Sequence, residues 1–109
     1  MPVRLYLLQR LSALVMAPLV VVHLVVIIIA VRSGLDAESL LSRTRGSLVW
    51  ALVYGSFVIA VSVHAAIGIR TVLSEWLRIR GILLEAAMWS MGCGLLALGL
   101  RAVYAVTVP

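Results

Sequence analysis

The chain has 109 residues, 64% of them hydrophobic, and its net charge of +5 comes from nine arginines and four acids with no lysine. A soluble domain of this size cannot hide so much apolar surface, because small folds bury only about 60–70% of what the unfolded chain exposes. Nucleic-acid binding is disfavoured, because the arginines stand at the ends of apolar runs, where they anchor helices at lipid headgroups. We therefore expect one membrane domain over residues 1–109.

The first apolar run covers residues 11–31, is uncharged and contains a single histidine, His23. At 1.5 Å per residue it is long enough to cross about 30 Å of hydrocarbon as a helix. A cleavable signal peptide is the alternative. The run exceeds the 7–15 apolar residues typical of such a segment, and no small-residue cleavage site comes before Arg32. We predict a helix over about residues 5–31.

The second apolar run, residues 46–69, is also uncharged and carries only His64. Before it, the polar segment 32–45 is predicted as a loop, with a short interfacial turn as an option. Trp50 and Trp76 lie near opposite ends of this run, where a membrane protein places its aromatic belts. We predict the second helix over about residues 46–72.

The third run, residues 81–100, contains one acid, Glu85, whose role the sequence leaves open as protonated, paired or part of a proton path. We predict a helix over about residues 81–104. Its small residues indicate close helix packing. They are Ala86, Ala87, Gly92, Gly94 and Gly99. Unpaired backbone is costly in lipid, so the expected fold is all-α, with three transmembrane helices forming half of a larger helical bundle.

Alternating helices divide the arginines between the two membrane surfaces. Five fall on the side of the amino terminus, namely Arg4, Arg10, Arg70, Arg78 and Arg80. Four fall on the opposite side, namely Arg32, Arg43, Arg45 and Arg101. The positive-inside rule then favours a cytoplasmic amino terminus.

A histidine deep in a membrane costs free energy unless it is paired, so both histidines are candidate functional residues. The alternative is a hydrogen bond between helices, worth about 0.6–2 kcal/mol. If Arg10 and Arg70 mark one interface, His64 and His23 lie about 9 and 20 Å deep, from the helical rise. One haem needs both axial ligands at the same level. The offset of about 10 Å therefore predicts that each histidine serves a different haem, completed by another chain.

The neighbours of the histidines follow helical spacing. One stripe on the first helix contains Ser12, Met16, Leu19 and His23. On the second helix Val61, His64 and Gly68 share a face, and Gly68 leaves space for a porphyrin beside the imidazole. Close helix packing is the alternative explanation of that glycine.

Polar residues at the membrane edge complete the candidate site. Arg10 and Arg70 stand where haem propionates would emerge, and a guanidinium binds a carboxylate through two hydrogen bonds. Ser12 with Arg10 offers a hydroxyl and a cation to a quinone carbonyl. The alternative for Ser12 is a hydrogen bond to its own backbone.

Two short motifs resemble a known family. The second helix reads His-Ala-Ala-Ile-Gly-Ile-Arg from His64 to Arg70, with Glu75 five residues later. This resembles the second-helix signature of the cytochrome b anchor subunits of succinate dehydrogenase and fumarate reductase. The first helix reads Gln-Arg-Leu-Ser from Gln9, which is similar to the family's Arg-x-Ser-Gly element, although Ala13 replaces the glycine. The resemblance covers about residues 5–105.

The resemblance implies residue roles. His64 would be an axial ligand of haem b, and Arg70 would neutralise a haem propionate. Arg10 and Ser12 would lie beside a quinone site under the iron–sulfur subunit. His23 has no counterpart in the single-haem members, but it fits those with two haems, where histidines of the first and second helices bind different haems.

The implied function is electron transfer by a non-catalytic anchor subunit in a bacterial-type cytoplasmic (inner) membrane. A flavoprotein subunit would interconvert succinate and fumarate, and an iron–sulfur subunit would pass the electrons on. This chain, with a second anchor chain or a second copy of itself, would bind haem b and quinone. Two alternatives remain at this stage. One is a haem-free structural anchor; the other is a small transporter subunit with Glu85 as its coupling residue.

Overall fold

The computed structural model describes residues 2–34 and 36–108. Its elements are α1 (Val3–Ser33), α2 (Ala37–Thr44), α3 (Leu48–Glu75) and α4 (Ile82–Thr107). The three longer helices are each apolar and long enough to span a membrane, and the described residues form no strand. The all-α fold with three transmembrane helices is therefore confirmed.

The central helix is α3, and α1 and α4 pack against it much more than against each other. Both neighbours run antiparallel to α3. The side chain of Ser12 in α1 meets His64 in α3, while His23, further along α1, meets Phe57, earlier in α3. The bundle is 47 Å long and 22 Å wide in both other directions.

The prediction of a loop over residues 32–45 is wrong for the part that forms α2. An isolated helix of eight residues is not stable in water, so α2 depends on its tertiary contacts. The Thr44 hydroxyl donates to the Val106 carbonyl at 2.6 Å, and the Gly46 amide donates to the Thr107 carbonyl at 2.6 Å. These bonds satisfy carbonyls at the end of α4 and hold the end of α2 against it. Gly46 has φ of 76°, which favours glycine.

Two of the three glycines in α4 allow the close packing that the sequence predicts. A Cβ at Gly92 would lie 3.1 Å from the Cβ of Ala66, and a Cβ at Gly99 would overlap the side chain of Val58. Gly94 makes no such contact within this chain, where a Cβ would meet nothing within 4 Å. Gly94 is two residues from Gly92, so it points away from α3 on the far side of the helix.

Most large apolar side chains of α1 lie on the surface of the single chain. Leu14 is 70% exposed and Val21 60%, while Ser12 and Ala30 are buried. Such a surface is unfavourable in water, but it costs nothing against lipid or against the apolar helices of another subunit. The exposed face of α1 agrees with the expectation that this chain forms only half of a larger bundle.

Candidate functional site

The predicted stripe on α1 faces α3. Ser12 is 7% exposed and Met16, Leu19 and His23 are half-buried, whereas the neighbouring Leu11 is 56% exposed. This arrangement follows from the helical period, because positions three and four apart share one side of a helix. The stripe is confirmed, and it places both histidines at the interface between α1 and α3.

A hydrogen-bond chain joins the two helices at His64. The Oγ of Ser12 donates to the Gln9 carbonyl at 2.9 Å and lies 3.2 Å from Nδ1 of His64. A hydroxyl has one hydrogen, so Ser12 accepts from Nδ1 of His64 when that hydrogen lies on the Gln9 carbonyl. In that tautomer Nε2 of His64 keeps its lone pair. The alternative for Ser12, a bond to its own backbone, is also confirmed.

His64 opens onto a hollow of about 380 Å³ beside α1, which Arg10, Gln9, Ala13 and Leu14 also line. The guanidinium carbon of Arg10 lies 5.7 Å from the centre of the Tyr6 ring, at a cation–π distance. The structure therefore brings together three of the predicted site residues: His64, Ser12 and Arg10.

Gln9 is a site residue that the sequence reasoning did not single out. Its Oε1 is buried and has no hydrogen-bond partner among the described residues. Gly68 lies next to it, since a Cβ at Gly68 would be 3.7 Å from Nε2 of Gln9, an ordinary contact distance. The space beside Gly68 is thus shared with the Gln9 side chain. The sequence does contain an indication of this residue, because Gln9 is polar and lies three positions before Ser12, on the same face of α1.

Arg70 is directed toward α4. Its Nη2 and Nε donate to Oε1 of Glu85 at 3.2 and 3.4 Å. The Arg70 side chain is 21% exposed and that of Glu85 48%, so the ion pair lies at the edge of the bundle. Of the roles that the sequence left open for Glu85, the structure supports that of a paired carboxylate. Arg70 does not line the hollow beside His64.

His23 lies in an aromatic cluster. Its ring centre is 5.9 Å from that of Tyr54, edge to face, and 5.6 Å from that of Phe57, and Trp50 stacks on Tyr54 at 5.4 Å. The Nδ1 atom of His23 is buried without a hydrogen-bond partner in the described part of the chain. An unpaired polar nitrogen in such surroundings costs free energy until a ligand or partner binds it.

The two imidazoles occupy different levels of the bundle. His23 is eleven residues beyond Ser12, which corresponds to about 16 Å along α1. On α3 its ring contacts, Tyr54 and Phe57, precede His64 by ten and seven residues, or about 15 and 10 Å. This separation agrees with the offset expected from the sequence.

The donor set fits haem better than a metal ion held by protein alone. No group of three or more His, Cys, Asp or Glu side chains in the described ranges is placed to hold a metal ion. The two histidines instead lie at different levels; His64 contacts Ser12 through Nδ1, and Nδ1 of His23 has no hydrogen-bond partner within the described ranges. One imidazole on each face of the iron is how b-type electron carriers bind haem.

The chain is similar to a known protein family. Neither curated proteins nor solved structures give a significant match to the chain. The family model described as succinate dehydrogenase/fumarate reductase transmembrane subunit matches residues 1–100, which is most of the chain and includes both histidines. The chain therefore belongs to the succinate dehydrogenase/fumarate reductase transmembrane subunit family and is an integral membrane subunit of that oxidoreductase complex.

Proposed function

We propose that this subunit binds haem b through His64 and contributes part of a quinone site, so that electrons pass between an iron–sulfur subunit and quinone. The observation that carries the proposal is the hydrogen bond between Ser12 and His64. In the tautomer where Nδ1 donates to Ser12, Nε2 of His64 is unprotonated, and an unprotonated imidazole nitrogen is what an iron atom binds. Haem held by two histidines supplies one-electron transfer and has no open position for oxygen.

Ser12 is the residue that orients this ligand. Its hydroxyl is fixed by the Gln9 carbonyl at 2.9 Å, so its oxygen is held in place to accept from Nδ1 of His64. Partners of this kind fix the ring orientation of a ligating histidine and raise its basicity. Because Ser12 is buried, water does not compete for the bond.

The hollow beside His64 supplies groups for a quinone. Arg10 would donate hydrogen bonds to a quinone carbonyl, and its charge would stabilise the electron-rich reduced ring. Gln9 also lines the hollow, and its side-chain amide would offer both a donor and an acceptor to a quinone or quinol. The hollow therefore contains a donor and an acceptor suited to the two oxidation states.

Arg70 remains the proposed partner of a haem propionate. A guanidinium has five N–H groups, and two of them point to Glu85, which leaves three by count for a second carboxylate. Its position six residues from His64, about 9 Å along α3, is compatible with a group at the edge of a haem.

His23 would bind a second haem at the other level of the membrane. Its unpaired Nδ1 and the separation of about 10–16 Å from the level of His64 support a separate site. In each site the second axial ligand would come from a second anchor chain or a second copy of this chain. The soluble flavoprotein and iron–sulfur subunits would dock at the amino-terminal side, which carries five of the nine arginines and would be cytoplasmic.

A haem-free anchor is the second candidate, and the same hydrogen bond favours it. The contact between Ser12 and His64 joins α1 to α3 without any cofactor, as a packing histidine would. A transporter is not supported, because the carboxylate of Glu85 is already paired with Arg70 near the start of α4.

The deciding measurement is a dithionite-reduced minus oxidised spectrum of the purified complex, with the haem counted per chain as the pyridine haemochrome. We expect a b-type spectrum and two haems for each pair of anchor chains. A fully assembled complex with no haem absorption would overturn the haem proposal and establish the haem-free anchor.

A further inference from the structure

A narrow apolar slot lies where α1, α2 and α3 meet, at the opposite end of the bundle from His64. It has a volume of about 350 Å³, and its wall along α1 consists of aliphatic side chains from Val21 to Ile29. At one end it is bounded by Trp50 of α3 and by Arg43 and Thr44 of α2. The slot is thus apolar along its length and cationic at its mouth.

The length of the slot matches one leaflet of a bilayer. From Val21 to Ala30 the wall spans nine residues, or about 14 Å along α1. Half of a hydrocarbon core of about 30 Å is about 15 Å. The cationic end lies three residues before the end of α1 at Ser33, beside Trp50, so it stands at the level of the headgroups.

Arg43 is held at this mouth by its own surroundings. Its Nη2 donates to the hydroxyl of Ser33 at 3.2 Å, and the next residue, Thr44, is bonded to the Val106 carbonyl at 2.6 Å. The end of α2 is therefore fixed to both α1 and α4, with the guanidinium beside the slot. A guanidinium has five donors in a planar fork that matches the oxygens of a phosphate.

We infer that the slot binds one anionic phospholipid, with its phosphate on Arg43 and one acyl chain between α1 and α3. The lining of the slot favours this occupant. No histidine lines it, so it lacks a haem ligand, and it is separate from the hollow at His64. A slot of this volume has room for an extended hydrocarbon chain, whereas a helix, about 10 Å across with its side chains, would lie against its mouth and not inside it. This inference does not depend on haem binding.

The test is native mass spectrometry of the purified complex in detergent after addition of phosphatidylglycerol or phosphatidylcholine with chains of ordinary membrane length. We expect one phosphatidylglycerol retained per copy of this chain, in preference to phosphatidylcholine. Arg43→Gln should lower retention about fivefold, the effect of one surface cation on an anionic headgroup. The matched control is Arg45→Gln, which removes the same charge two residues away from a side chain that does not line the slot.

A second variant tests the apolar part without changing charge. Val25→Trp fills the slot from a position that is 48% exposed, so the helix itself tolerates the larger side chain. It should lower retention of phosphatidylglycerol as Arg43→Gln does. Equal retention of the two lipids, equal losses in the Arg43 and Arg45 variants, or full retention in the Val25 variant would each overturn the inference. So would a complex that retains no lipid, which would indicate that another subunit covers the slot.

Discussion

The two histidines lie in the same interface between α1 and α3, but their surroundings differ. At the His64 end, a serine and a backbone carbonyl form a hydrogen-bond chain that ends at the imidazole, and an arginine lines the hollow beside it. At the His23 end, the imidazole meets only aromatic rings at the distances given, and its Nδ1 is unpaired. The difference teaches that burial alone does not describe a membrane histidine, since His64 has a hydrogen-bond partner on the neighbouring helix and Nδ1 of His23 has none among the described residues.

The largest expected effect comes from removing each imidazole in turn. If the two ends are separate sites, His64→Ala should remove one haem and leave the other, and His23→Ala should remove the complementary one. The pyridine haemochrome of each purified complex would measure this, with the reduced spectra showing which haem remains. Loss of both haems in either variant would mean a shared site or a collapsed bundle, and the comparison between the ends would fail.

The second prediction concerns the hydrogen-bond chain. Ser12→Ala leaves Nδ1 of His64 without its acceptor, and loss of such a partner lowers metal affinity about 10–100-fold at comparable sites. We expect the haem at the His64 end to be lost at lower concentrations of a competing apo-haem acceptor, such as apomyoglobin, in a transfer assay.

The control for Ser12 lies at the other end. Tyr54→Phe keeps the ring that packs on His23 and removes only a hydroxyl. It should leave both haems as tightly bound as in the unmodified complex. If the Tyr54 variant loosened the haem at the His23 end as much as Ser12→Ala loosens the other, the contrast between the two ends would be refuted.

The third prediction tests the support that α4 gives to α3 near the His23 end. Gly99→Ala places a methyl group against Val58, which we expect to destabilise the subunit by about 1–2 kcal/mol, at the lower part of the range for overpacking. Gly94→Ala adds the same methyl group to the same helix in open space, so it should be neutral or slightly stabilising. Thermal unfolding of the complex in detergent compares the stability of the two variants. Equal losses of stability would show that α4 does not pack against α3 through Gly99.

The smallest effect is expected at the ion pair between Arg70 and Glu85. Because both side chains are partly exposed, the pair contributes only about 0.2–1 kcal/mol to stability. The charges of Arg70 and Glu85 should also affect the midpoint potential of the haem at the His64 end, which a redox titration measures. Glu85→Gln removes a negative charge at the His64 end, and the positive field that Arg70 then exerts favours the reduced haem. The midpoint potential of that haem should rise, while that of the haem at His23 stays constant.

The control for Glu85 is Glu75→Gln, which removes an exposed acid from the same end of the bundle without a contact to Arg70. It should change the potential less than Glu85→Gln does. An equal rise in both variants would assign the effect to overall surface charge and not to the ion pair.

Much of this structure follows from the sequence because lipid leaves few choices. Uncharged runs of sufficient length must be helical, and helical spacing alone places Ser12 and His23 on one face. The offset between His23 and His64 follows from the same rise per residue. These features depend on local periodicity, which a sequence displays directly.

Other features depend on contacts between distant residues. The helix α2 is stable through bonds from Thr44 and Gly46 to the end of α4, more than sixty positions away, and the sequence does not display these contacts. The pairing of Arg70 with Glu85 depends on how α3 and α4 align, which the contact of Gly92 with Ala66 sets. Which glycines of α4 meet α3 and which, like Gly94, face away from it depends on the rotation of α4 about its axis.

The hydrogen bond from Ser12 to the Gln9 carbonyl also bears on biogenesis. The ribosome produces α1 before α3, so α1 enters the bilayer while its later neighbour has not yet been made. The hydroxyl of Ser12 is already hydrogen-bonded to the Gln9 carbonyl of the same helix, which lowers the free-energy cost of inserting α1 first. When α3 follows, the oxygen of Ser12 lies within hydrogen-bond distance of Nδ1 of His64. The order of synthesis thus lets the buried polar group of α3 find its acceptor in a helix that is already inserted.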